Sequence, residues 1–196
     1  MGPLEPLPRP IKGDLKDRFP YGLENSGRDL LNLIETFDTN SLWEIVVEIF
    51  RVWNNGETIW TMGNGGSAAT ASHFAEDLGL ASVDAISLCA DAPRLTALAN
   101  DFGYETVFWK QLEILAKPGD MVFILSVSGN SQNVVEAAKW ARGNSLSTAG
   151  FLGKDGGKVK EFLHAPLVIP SDDFGLVESV HLFLCHVISQ FIHSLR

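Results

Sequence analysis

Five side chains in this sequence combine types and spacings suited to acid–base or metal chemistry. His73 and Asp77 lie four residues apart in SHFAED (72–77), so on a helix they share one face. In VESVHLFLCH (177–186), Glu178, His181 and His186 interrupt an otherwise apolar run. Around a helical wheel Glu178 is about 60° from His181 and about 80° from His186, with the two histidines about 140° apart. Glu178 can cooperate with either histidine, but the two histidines do not fit one compact site. Unpaired charge is costly to bury, so these groups need partners. Two His–carboxylate pairs offer four N/O ligands to a zinc-like ion. They serve equally as an acid and a base, since imidazole and a desolvated carboxylate can titrate near neutrality. For the HxxxD pair alone, a structural hydrogen bond is the plain alternative.

Two glycine–serine turns form a second group of candidates. Gly63-Asn64-Gly65-Gly66-Ser67 and Ser126-Val127-Ser128-Gly129-Asn130-Ser131 each follow an apolar run and precede a helical one. Glycines let the backbone approach closely, and hydroxyls with a helix N-terminus can hold a phosphate through N–H groups. Ordinary turn chemistry with an N-cap serine explains either turn alone. If they end neighbouring strands, both can close on one phosphate. Neither carries the Walker lysine of a nucleoside-triphosphate loop. Gly63, Gly65 and Ala68 do satisfy G-x-G-x-x-A, and Asp91 follows the next strand where a dinucleotide enzyme keeps its ribose-binding acid. A second hydroxyl-rich turn has no evident use in that reading, so no nucleotide cofactor is expected.

The elements that position these residues follow from periodicity. Apolar runs at 57–63, 85–90, 120–127, 147–153 and 165–170 read as strands, the third buried on both faces. Helical patterns separate them: 67–79 closing on Gly79, a stretch through 116, 131–142 and 158–163. This alternation predicts an α/β fold, a parallel sheet with helices on both sides. Before it, Leu42, Ile45, Val46, Ile49, Phe50 and Trp53 mark the clearer of two N-terminal helices between Glu24 and Trp53. Five of the nine prolines (Pro3, Pro6, Pro8, Pro10, Pro20) fall earlier still, predicting an extended proline-rich arm over 1–23 and one domain over 24–196. The segment 173–195 is apolar almost all round, a buried helix whose cover at a chain end is another subunit.

Composition narrows the partners. The 196 residues carry a net charge of −9, which argues against nucleic acid or an anionic membrane surface as partner. The two cysteines, Cys89 and Cys185, sit in apolar runs and read as free thiols of a reducing compartment. Neither a signal peptide nor an apolar run of membrane-spanning length is expected, which leaves a cytoplasmic protein as the default.

Taken together, GNGGSAATASHFAED (63–77), ANDFGYE (99–105), SVSGNS, GKDGG (153–157) and VESVHLFLCH resemble the sugar isomerase (SIS) domain family, and within it the phosphoheptose isomerase branch. The resemblance runs from about Leu42 to the C-terminus. It implies a three-layer αβα, flavodoxin-like fold with five parallel strands, preceded by the N-terminal helices. It also implies a homotetramer with sites at subunit interfaces, and isomerisation of sedoheptulose 7-phosphate to a heptose 7-phosphate through an enediol. Asn64, Gly65, Gly66, Ser67, Ser126, Ser128 and Ser131 match phosphate and sugar-binding positions, and Asp91 matches an aspartate near the substrate. Asp77 and His186 match the catalytic pair. His73, Asp77, Glu178 and His186 match positions that bind zinc in some members.

The sequence departs from that pattern at several positions. Asp77 replaces a glutamate, Glu178 a glutamine, Ala81 an arginine, Gly175 an acid and Val127 a threonine. A non-catalytic SIS protein that binds sugar phosphates or a protein partner is the rival these changes favour.

Overall fold

The computed structural model describes residues 15–36 and 38–195. Two helices, α1 (Leu15–Thr36) and α2 (Thr39–Asn55), lead into an alternation of strands and helices. Strands are β1 (Ile59–Met62), β2 (Ala85–Ser87), β3 (Met121–Ser126), β4 (Ser147–Gly153) and β5 (Ala165–Ile169). Between and after them run α3 (Gly66–Leu80), α4 (Ala92–Phe102), α5 (Trp109–Leu115), α6 (Gln132–Gly143) and α7 (Phe174–Ser194). Short 3-10 helices occupy Tyr104–Thr106 and Lys158–Phe162, the latter where a short helix was expected.

All strand pairs are parallel, in the order β2-β1-β3-β4-β5. That is the doubly wound flavodoxin-like order, with β1 and β3 adjacent. Every residue of β3 is buried, as its unbroken apolar run requires of a central strand covered on both faces. One face of the sheet packs on α2, α3 and α7 through Phe74, Phe123 and Phe151, whose successive ring centroids are 5.0 Å apart. The other face is covered by α6 and the segments between β2 and β3, through Leu88, Phe108, Leu112 and Val134. At the N-terminal edge Asp120 accepts from the Thr58 and Lys117 backbone N–H groups and the Trp60 indole, which ties β1 to β3.

Two boundaries differ from expectation. Residues 1–14 of the proline-rich segment lie outside the described residues, but α1 starts at Leu15, well before Glu24, and contains Pro20. Pro20 sits in the second turn, where the helix loses one bond near its end rather than in mid-span. Gly79 lies inside α3, and the cap falls on Ala81, whose N–H bonds to the Asp77 carbonyl. Against the expectation that no run reaches membrane-spanning length, α7 is long and apolar enough to do so by length and composition alone. Its apolar character has two sources: Val177, Val180, Leu184, Ile188 and Ile192 fill the core, while Leu182, Phe183, Val187 and Phe191 stay partly exposed.

Candidate functional site

The first glycine–serine turn leaves the carboxyl end of β1 and enters α3; the second leaves β3 and enters α6. Because β1 and β3 are neighbours, the two turns open side by side at one edge of the sheet, as the phosphate reading required. Gly65 caps α3 at φ +57°, ψ −123°, a backbone conformation closed to other residues. The second turn is braced from behind. Gly129, at φ +60°, packs so tightly on the Gly156 carbonyl that a Cβ would overlap it. The Val159 N–H bonds to the Gly129 carbonyl at 3.0 Å. In GKDGG a Cβ on Gly153 or Gly157 would overlap the Val127 or Ser128 carbonyl, and Gly156 stands at φ +92°.

The side chains of the turns divide by burial. Ser67 and Ser126 are buried, and Ser126 Oγ accepts from the Gly129 N–H at 3.1 Å. Ser128 Oγ accepts from the Asn130 N–H at 3.2 Å, and half-buried Ser131 caps α6 without a side-chain bond. Gly65 and Gly66 are exposed at the mouth. Asp91 stands apart from this group. It caps α4 by accepting from the Arg94 N–H at 3.0 Å and pairs with the Arg94 side chain at 3.4 Å.

Two to three turns up α3, His73 and Asp77 meet His186 from α7. His73 Nε2 and His186 Nε2 are 2.8 Å apart, and Asp77 Oδ2 is 3.5 Å from the first and 3.9 Å from the second. The rings are perpendicular, with centroids 5.0 Å apart. Asp77 is 20 % exposed and the histidines about half, so the cluster opens onto a cavity of about 400 Å³ also lined by Ser189, Gln190 and His193. Two imidazole nitrogens and a carboxylate oxygen converging at an accessible point are the donor set that a zinc-like ion takes while keeping a position open. A hydrogen bond between the two Nε2 atoms needs one of them to donate and the other to accept.

Glu178 is not part of this cluster. Its carboxylate lies against Gly66, at 2.5 and 2.6 Å from where a Cβ on that glycine would stand. It precedes His186 by eight residues, about 12 Å along the helix, and the parallel run of α3 and α7 carries it to the turn instead. There the positive end of α3 favours its charge. His181 faces away from the site and into the sheet. It is 1 % exposed, 5.9 Å from the Phe151 ring, and neither ring nitrogen completes a hydrogen bond. Burial holds its pKa down to about 3, against a smaller opposing pull from the Leu152 backbone. Burial, followed by the charge of Asp77, pushes the Cys185 thiol up.

Residues 24–153 match the SIS domain family. Phosphoheptose isomerase of Trichlorobacter lovleyi is 41% identical over 159 residues, 78% of this chain and 80% of the relative. The chain belongs to the SIS domain family. The phosphoheptose isomerase of Aliarcobacter butzleri is 42% identical over 157 residues, covering 77% of this chain and 82% of its own. The solved structure of phosphoheptose isomerase GmhA from Neisseria gonorrhoeae superposes with a TM-score of 0.86 at 31% identity, over 92% of this chain and 99% of that one. In this SIS domain the motif residues of the sequence therefore fall into two groups, a turn pair below and a His–Asp–His cluster above. Sequence reasoning missed two members of the lower group. Tyr104 and Asn133 both bond to Asn64, from 40 and 69 residues away, and no local pattern announces either contact.

Proposed function

We infer that the protein is a phosphoheptose isomerase, an aldose–ketose isomerase interconverting sedoheptulose 7-phosphate and a D-glycero-D-manno-heptose 7-phosphate. The observation that carries this is the convergence of His73, Asp77 and His186 on the helix whose N-terminus forms the first glycine–serine turn. A phosphate held by Ser67, Ser126, Ser128, Ser131 and the backbone of Asn64, Gly65 and Gly66 anchors one end of an open-chain sugar. The Ser67-to-Asp77 rise along α3, about 15 Å, leaves room for an extended heptose between the two groups. At the far end Asp77 and His186 exchange one proton between C1 and C2. One of them removes it from C1 of the ketose, the enediol forms, and the proton returns to C2 while the hydroxyl proton moves from O1 to O2. Asp91, which caps α4 and pairs with Arg94, matches in the family pattern an aspartate near the substrate.

His73, Asp77 and His186 would hold a zinc ion, which would supply polarisation of the sugar carbonyl. Glu178, beside the phosphate turn, adds negative charge where an anionic substrate enters. The departures at Asp77, Ala81, Gly175 and Glu178 favour the second reading, a non-catalytic SIS protein that binds a sugar phosphate or a protein partner. The exposed apolar row of α7, beside Trp43 and Val47 of α2, supports assembly as a homotetramer. The two free cysteines support a cytoplasmic location.

The test is turnover of sedoheptulose 7-phosphate by the wild type, His186→Ala and Asp77→Asn, with metal content measured before and after chelation. Loss of turnover in both variants supports the assignment. Variants as active as wild type remove those residues from the mechanism, and binding without turnover in the wild type selects the second reading.

A further inference from the structure

The geometry points to Asn133 and Tyr104 as positioning residues that fix the amide of Asn64 so that it faces the ligand as a hydrogen-bond donor only. This deepens the reading of the two turns as one phosphate and sugar cradle, and rests on it.

The inference follows from counting bonds. Asn64 and Asn133 form a reciprocal amide pair: Asn64 Nδ2 donates to Asn133 Oδ1 at 2.9 Å, and Asn133 Nδ2 donates back to Asn64 Oδ1 at 2.9 Å. The Tyr104 hydroxyl donates to the same Asn64 Oδ1 at 2.9 Å. An amide oxygen has two acceptor positions and an amide nitrogen two hydrogens. Both positions on Asn64 Oδ1 are filled and one N–H is used, so one N–H remains. Rotating the amide would place its nitrogen against Asn133 Nδ2, donor facing donor, so the orientation is locked.

The lock is rigid because of where its parts sit. Asn133 is 2 % exposed in the first turn of α6, and its Oδ1 also accepts from the Val134 N–H at 3.0 Å. It is therefore held by the helix that the second turn enters, and through it the first turn is tied to the second. Tyr104 approaches from the 3-10 turn after α4 and is 58 % exposed. The remaining Asn64 N–H selects an acceptor atom, a phosphate or sugar oxygen.

The experiment compares the wild type, Asn133→Ala and Tyr104→Phe in steady-state kinetics with sedoheptulose 7-phosphate, alongside thermal melting. The expected result is a KM about tenfold higher in Asn133→Ala and about threefold higher in Tyr104→Phe, with kcat largely kept, because binding rather than chemistry is disturbed. A purely structural role would instead lower the melting temperature without that KM-against-kcat split. Unchanged KM in both variants, or kcat falling with KM unchanged, overturns the inference. If Asn133→Ala does not fold, the exposed Tyr104→Phe decides alone. Failure of the wild type to bind or convert the sugar phosphate would overturn the cradle reading itself, and this inference with it.

Discussion

The two ends of α3 are built by different means. At its N-terminus the site is made mainly of backbone, glycines and small hydroxyls from two short turns, with the Asn64 amide held by Asn133 and Tyr104, and it is braced by direct backbone contact with 153–157. Toward its other end the site consists of three side chains, one of them arriving from α7, 113 residues further along. The lower end is fixed by chain conformation that no other residue type can adopt. The upper end depends on how two helices pack, and its half-exposed side chains leave it open to altered chemistry. Under the proposed assignment binding and catalysis are separable in this molecule, and substitutions test it.

The largest effect is expected from the upper end. His186→Ala or Asp77→Asn should lower turnover about 10²–10⁴-fold, the usual scale for losing a general acid or base, while sugar-phosphate binding persists in calorimetry. Binding lost together with turnover would erase the proposed division. At the lower end, Gly129→Ala should cost about 1–3 kcal/mol of stability, since a strained φ is combined with a backbone clash, and it should weaken phosphate-ester binding. A denaturant midpoint and affinity equal to wild type would show that the brace behind the turn is dispensable.

A third effect tests α7, the element that carries His186 to the site. His181 on its inner face has a folded pKa near 3 and an unfolded one near 6.5. Because the folded value is depressed, the unfolded chain binds the proton first. Stability is then full above about pH 6.5 and declines as pH falls toward 3, by about 2 kcal/mol at pH 5. Urea unfolding at pH 7 and pH 5 checks this, and His181→Leu should flatten the slope. A slope unchanged by that substitution would assign acid sensitivity to other groups. The smallest effect is that of Glu178→Gln, which removes a charge beside the phosphate turn. Affinity for the anionic substrate should rise about threefold at low salt and less at high salt.

Most of the fold was legible. The five strands and the helices between them follow from runs of apolar residues, because a parallel sheet buried on both faces forces its strands to be apolar throughout. The two glycine–serine turns were legible for a similar reason, since glycine and serine at strand ends leave few alternatives for the backbone. The start of α1 was not, because Pro20 reads as a helix breaker when its place in the helix is unknown. Glu178 reads as a partner of either His181 or His186 on the helical wheel, and of His186 on the family pattern. The wheel gives only angles, and about 12 Å of axial rise separated the two residues once α3 fixed the packing.

The sequence by itself determined the strands and helices, the two turns and the pairing of His73 with Asp77, because each rests on patterns within a few residues, where periodicity and turn chemistry act. Only the tertiary structure decided which residues of α7 join them. It sent His186 to the cluster, Glu178 to Gly66 and His181 into the core, and it brought Asn133 and Tyr104 onto Asn64. Those choices depend on the rotation and register of one helix against another, quantities that side-chain packing sets and that no local spacing encodes.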